Sequence, residues 1–143
     1  MKKICIINGP NLDIIEKREA EYYGGKNFND ILTDLKNEFP QFNFDYFQSN
    51  IEGEICKKIN NFGNDISGLI INPGGFTHNS VSIRDSLSLL KIPIIEVHLS
   101  NISNRENFRR INLTTSKTIG YISGFKEFSY YAACFLMKKY LID

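Results

Sequence analysis

The sequence predicts an α/β fold on a parallel sheet, and three observations predict it. Short apolar runs, KICIIN, GLIIN and Ile92 to Val97, are too short for stable helices and are bounded by Gly, Pro or Asn. Between them lie segments whose apolar residues recur at helical spacing. The two patterns alternate along the chain, five strands against four or five helices, which implies parallel strands joined by helical crossovers.

Lys3 to Asn8 is the first strand, buried on both faces, and Gly9-Pro10 stops it. Pro10 to Lys26, charged and aromatic and ending in a glycine pair, is a long loop, and loops of that length tend to be functional or disordered. Asn27 or Asn29 caps a helix carrying Ile31, Leu32, Leu35 and Phe39 until Pro40 ends it. Phe42, Phe44, Tyr46 and, on the other face, Phe47 form the second strand. Ser49 or Asn50 caps a helix with Ile51, Ile55, Ile59 and Phe62 on one side and Gly63 beyond its end. Gly68 to Asn72 is the third strand, turned by Pro73-Gly74-Gly75. His78 or Asn79 begins a helix carrying Val81, Ile83, Leu87 and Leu90, and the fourth strand, Ile92 to Val97, includes Pro93. A polar segment from Ser100 to Ser116 precedes a fifth strand, Thr118 to Ile122, and a last helix, Glu127 to Leu141. The expected architecture is a flavodoxin-like three-layer sandwich with sheet order 2-1-3-4-5, formed by one domain spanning residues 1–143.

Composition bounds the partners. The formal charge is +1, from 17 basic and 16 acidic residues, which supplies no field for gripping a nucleic-acid backbone or an anionic membrane. A small molecule or a protein is the expected partner. Three cysteines, Cys5, Cys56 and Cys134, with no C-x-x-C pair, point to reduced cytosolic thiols rather than a disulfide framework or zinc site. No basic-then-apolar leader stands at the N-terminus and no run approaches a bilayer span, so a cytoplasmic protein is expected.

Chemistry is expected at one sheet edge. Asn11, His78 and His98 each follow an apolar run, and in a parallel sheet those run-ends lie together where open α/β folds build their sites. Arg18 and Tyr23 share the first loop. A guanidinium close to a phenol favours the phenolate, which can serve as a general base, although two loop tyrosines can equally cover a helix end beside a solvated arginine. Glu96, two residues before His98, lies on the same side of a strand. It can fix the imidazole tautomer and leave the other nitrogen for proton donation, while the plainer role for His98 is backbone-satisfied packing. His78, at a helix start beside Asn72 and a glycine turn, suits either capping or the holding of ligand oxygens. Asp85, seven residues on, would share a helix face with His78 at a rise of about 10 Å, too far for a pair. Arg105 and Arg109, one helical turn apart, form a solvated basic face or a fork for a polyhydroxylated or carboxylated substrate. Ser100 and its neighbouring amides suit an oxyanion or carboxylate cradle.

Taken in order, these segments closely resemble type II 3-dehydroquinate dehydratase. The resemblance is carried by Asn8-Gly9-Pro10-Asn11-Leu12, Arg18-Glu19 with Tyr23-Gly24, and Phe47-Gln48-Ser49-Asn50 with Glu52-Gly53-Glu54. It continues through Ile71-Asn72-Pro73-Gly74 with Thr77-His78, Ser80-Val81, Arg84-Asp85, Ile92-Pro93, Glu96 through Asn101, and Arg105 through Phe108-Arg109. It implies reversible dehydration of 3-dehydroquinate to 3-dehydroshikimate, the third step of the shikimate pathway, without metal or organic cofactor, in a homododecamer made of four trimers. It also implies roles. Tyr23 is the base, and Arg18 holds it ionised. Asn11 positions a water at the enolate oxygen, and His98, oriented by Glu96, protonates the departing hydroxyl. Asn72, Ser100 and the Leu99 amide bind substrate, the latter two through its carboxylate. His78 and Arg109 reach its hydroxyls, and Asp85 arrives across a subunit contact. Closure of the glycine-flanked first loop over substrate is expected to assemble the site.

The chain departs from the family pattern at Asp13, where a second asparagine is usual, at Glu16 for a glycine and Ala20 for a proline, and at Ile111-Asn112 for a histidine-serine pair. These differences leave open a catalytically weak or inactive relative acting as a binding or scaffold protein. A flavin carrier would need a Ser/Thr/Gly-rich loop after the first strand. A receiver domain would need an acidic pair there and an aspartate where Asn72 stands. Neither is present.

Overall fold

The apolar runs become the middle of the sheet. In the computed structural model, which describes residues 1–143, the strands are β1 (Lys2–Asn8), β2 (Phe42–Gln48), β3 (Ile66–Asn72), β4 (Ile94–His98) and β5 (Gly120–Ser123). All neighbours pair in parallel, in the order β2-β1-β3-β4-β5, as the sequence predicts.

Strand alternation divides the core in two, because successive side chains leave a strand on opposite faces. Ile4, Ile6, Ile70, Ile95 and Val97 pack on one face against Ile31 and Leu35 of α2 (Phe28–Glu38) and Tyr130, Ala133, Cys134 and Met137 of α5 (Phe128–Leu141). Cys5, Ile7, Leu69, Ile71 and Ile94 pack on the other against Ile55 and Ile59 of α3 (Glu52–Asn60) and Ile83 and Leu87 of α4 (Val81–Ser88). Each fully buried aliphatic side chain contributes about 1.5–3 kcal/mol, so the two layers clamp the sheet rigidly beneath its loops. Burial pushes the Cys5 thiol up to about 12 and raises Cys134 as well, which keeps both protonated and unreactive. No helix is long and apolar enough to cross a membrane.

Several boundaries differ from the sequence expectation. The long loop after β1 is structured, with a 3₁₀ segment over Leu12–Lys17 that buries Leu12 and Ile15, and a one-turn helix, α1 (Ala20–Tyr23). Such short tight turns carry too little periodicity to be read in advance. Asn27 is the cap of α2, its side chain accepting from the Asp30 amide. Ser49 instead bonds the Ile51 amide, and α3 starts after Ile51. The residues from Gly74 to His78 form a 3₁₀ turn, and α4 begins only after Ser80, whose hydroxyl accepts from the Ile83 amide. His78 and Asp85 therefore share no helix. Pro93 precedes β4 and gives its carbonyl to Leu69, while His98 is the last strand residue rather than the one beyond it. The fifth strand is shifted to Gly120–Ser123, because Thr118 closes a turn with its hydroxyl on the Thr115 carbonyl.

Candidate active site

The C-terminal ends of β1, β3 and β4 enclose a small cavity of about 40 Å³ that opens to solvent on one side. This is the crevice where the chain turns from one flank of the sheet to the other, the usual site in open parallel sheets. Leu12, Arg18 and Tyr23 reach it from the segment after β1, and Asn72, Gly74, Gly75 and His78 from the end of β3. His98, Leu99, Ser100, Ile102, Arg105 and Arg109 line the remaining wall.

Tyr23 ends α1 and is 6% exposed, locked there by Gly24 in the left-handed region (φ 91°). Arg18 Nη2 donates to its hydroxyl at 2.5 Å, and the same guanidinium covers the ring at 3.8 Å from the centroid. Arg105 Nη1 donates to the same oxygen at 2.8 Å and to Ser100 Oγ at 3.1 Å. Two cations thus converge on one phenol oxygen, which is an arrangement that stabilises negative charge on it. Arg105 was legible only as half of a basic pair. It lies in extended backbone, not a helical turn from Arg109, because separate 3₁₀ turns hold Ile102–Asn104 and Asn107–Arg110. No spacing signal joins residues 23 and 105. Arg109 donates through Nε to Glu106 and keeps its guanidinium at the cavity wall.

Glu96 and His98 leave β4 on one side, as alternation requires, and His98 Nε2 meets Glu96 Oε2 at 2.8 Å. Both are buried. Because a carboxylate accepts, Nε2 carries the hydrogen, and Nδ1 is the ring nitrogen left over. His78 is set the opposite way. Its Nδ1 lies 2.8 Å from the Ile111 carbonyl, which can only accept, so Nδ1 carries the hydrogen and the neutral ring keeps a lone pair on Nε2. That Nε2 is buried and has no partner in the protein. The two rings lie 6.5 Å apart, nearly parallel.

Burial, aided by the nearby His98 and Arg109, holds His78 below its ordinary value against the opposing Ile111 carbonyl and Glu96. The unfolded chain takes up a proton near pH 6.5 that the folded chain resists, so the stability linked to His78 is complete above that pH and lost as pH falls through the folded value. His78→Gln is expected to flatten the decline in melting temperature between about pH 7 and 5. Parallel declines in both proteins would contradict it.

Beneath the cavity floor runs a buried chain of polar groups that the sequence did not reveal. Tyr130 Oη donates to Asn8 Oδ1 at 2.6 Å and accepts from Asn72 Nδ2 at 3.1 Å, while Asn8 Nδ2 donates to Tyr46 Oη at 3.3 Å. Asn72 Oδ1 accepts from the Gly74 amide at 3.1 Å. With its oxygen and one N–H engaged, Asn72 offers a ligand its second N–H, hence a donor. The amides of Leu99 and Ser100 donate to no acceptor of the protein and stand beside Asn72 and Arg105, a set suited to a carboxylate.

Two predicted residues are not brought to the cavity. Asn11 adopts a left-handed conformation (φ 66°), tolerated by asparagine, with its amide held by Asn50 Oδ1 at 3.0 Å and its side chain exposed. Asp85 projects from the outer face of α4, exposed and 3.6 Å from Arg84. No cluster of three or more His, Cys, Asp or Glu side chains is placed to hold a metal ion.

Comparisons of the whole chain with known proteins agree with one another. The family model "Dehydroquinase class II" matches residues 2–138. A 3-dehydroquinate dehydratase of Prochlorococcus marinus subsp. pastoris is 51% identical over 91% of this chain and 90% of its own length. One from Clostridium perfringens strain SM101 is 46% identical over 97% of each. Among solved structures, the type II dehydroquinase from Butyrivibrio crossotus superposes with a TM-score of 0.91 at 37% identity, over 95% of this chain and 97% of that one.

Proposed function

This chain belongs to the class II dehydroquinase family, and we propose that it removes water from 3-dehydroquinate to give 3-dehydroshikimate, with Tyr23 as base and His98 as acid. The observation that carries the reading is the pairing of two unlike groups over one cavity. One is a phenol oxygen held by Arg18 and Arg105, the other an imidazole held by buried Glu96.

A hydrogen on the carbon beside a ketone is too weakly acidic for water to remove quickly, so negative charge must be stabilised as it develops. Tyr23, as phenolate, takes that proton, and the C–H electrons move to the ketone oxygen as an enolate. The enolate then re-forms the ketone and expels the hydroxyl one carbon further, which takes the Nδ1 proton of His98, acting as an imidazolium whose Nε2–H stays on Glu96, and leaves as water. Asn11 positions a water at the enolate oxygen. Its side chain is exposed and outside the cavity, so this role requires it to turn inward when substrate binds. The substrate carboxylate sits on Ser100 and the Leu99 amide with Asn72, and His78 Nε2 and Arg109 meet its hydroxyls. The replacements Asp13, Glu16 and Ala20 leave Arg18 and Tyr23 in contact, which favours an active enzyme over a scaffold.

Asp85 acts in the site of a neighbouring copy, within a homododecamer of four trimers. Val81 and Leu89, exposed apolar residues at either end of the same helix, support burial of that face between copies. The enzyme forms one catalytic domain over residues 1–143, works in the cytoplasm on the shikimate pathway and needs no cofactor.

The test is the conjugated enone, which absorbs in the near ultraviolet, when purified protein meets 3-dehydroquinate. A rate indistinguishable from buffer would remove the reading. No lysine lines the cavity, so no imine forms. Borohydride added with substrate is expected to leave the activity intact, and inactivation with covalent labelling would contradict the enolate route.

A further inference from the structure

The polar segment after β4 returns beneath the site as a strap. Its Leu113 amide donates to the Thr77 carbonyl at 2.8 Å, and the Thr115 carbonyl receives both the Thr118 amide, at 3.1 Å, and the Thr118 hydroxyl, at 2.7 Å. So anchored, it places two adjacent hydroxyls on the one buried carboxylate of β4. Thr114 Oγ1 donates to Glu96 Oε1 at 2.5 Å, and Thr115 Oγ1 donates to Glu96 Oε2. That second oxygen is also the one that holds His98 Nε2. Glu96 and Thr114 are wholly buried, and no lysine or arginine pairs with the carboxylate.

We propose that Thr114 and Thr115 are positioning residues of the dehydration reaction, acting on His98 through Glu96. A buried carboxylate must have its lone pairs satisfied, and here the strap supplies every donor except the imidazole itself. A carboxylate turns easily about its last bond, since sp³–sp² torsions have broad wells. One hydroxyl on each oxygen removes that freedom. Oε2 is left aimed at Nε2–H, the ring orientation is fixed, and Nδ1 is presented to the cavity, where it donates when the ring carries its second proton. Neither threonine lines the cavity, so neither acts on substrate directly.

The inference rests on His98 being the acid, and the test separates the two ideas. Thr115→Val keeps shape and loses the hydroxyl, whereas Thr115→Ser keeps the hydroxyl and loses a methyl; the same pair is made at Thr114. Each valine variant is expected to lower kcat roughly 10-fold with KM within about twofold, and each serine variant to hold kcat near wild type. A role confined to packing predicts the reverse, with valine tolerated and serine impaired, and that pattern would overturn the proposal. Because the serine arm discriminates alone, a valine variant that fails to fold does not spare it. Wild-type rates in all four variants of an active enzyme would sink the strap's role and leave His98 standing. Full activity in His98→Asn would instead remove the acid itself.

Discussion

Tyr23→Phe is expected to lower kcat for dehydration about 1,000-fold while the protein remains folded. The phenyl ring keeps its place, because what locks Tyr23 is the ring under the Arg18 guanidinium and the edge contact with Tyr22 at 6.2 Å between centroids, not the oxygen alone. What disappears is the atom on which Arg18 and Arg105 converge. Nothing else in the cavity can replace it as a base that two cations keep supplied with positive charge. His78 has a free lone pair on Nε2, but its ring hydrogen-bonds only the Ile111 carbonyl and no cation converges on it as Arg18 and Arg105 do on Tyr23. Steady-state enone formation measures kcat and a thermal melt reports folding. Activity within threefold of wild type in a folded variant would place the base elsewhere.

His98→Asn is expected to lower kcat to a similar extent, about 1,000-fold, but at a different step. Without the imidazole the proposed donor to the departing hydroxyl is gone, whereas the Tyr23 oxygen and its two arginines are untouched. Proton removal beside the ketone therefore continues although elimination stops. The variant also leaves Glu96 with the Thr114 and Thr115 hydroxyls alone, so a fall in melting temperature is expected as the buried carboxylate loses one of its three donors. Undiminished enone formation would show that water or another group protonates the leaving oxygen.

The sheet was readable because buried parallel strands show as continuous apolar runs, and Gly9-Pro10, Pro40 and Pro73-Gly74 mark where chain direction changes. The local constellation was readable for the same reason: Glu96 and His98 need only strand alternation, and Arg18 and Tyr23 only a shared segment. What stayed hidden depends on distant parts of the chain meeting. Arg105 joins Tyr23 across 82 positions, and Tyr130 joins Asn8 across 122. Thr114 and Thr115 reach Glu96 from a segment with no periodic pattern to say where its side chains point. Periodicity reports which face an element buries, never which side chain waits there. The misplacement of His78 and Asp85 on one helix came from the same gap, since Ser80 resets the helix start by a single hydroxyl bond.

The division of labour between phenol and imidazole is tested most directly by following the hydrogen beside the ketone of 3-dehydroquinate in deuterated water by NMR. The account predicts that His98→Asn exchanges this hydrogen for deuterium in unreacted substrate without forming enone, and that Tyr23→Phe does neither. Exchange at the wild-type rate in Tyr23→Phe would contradict it.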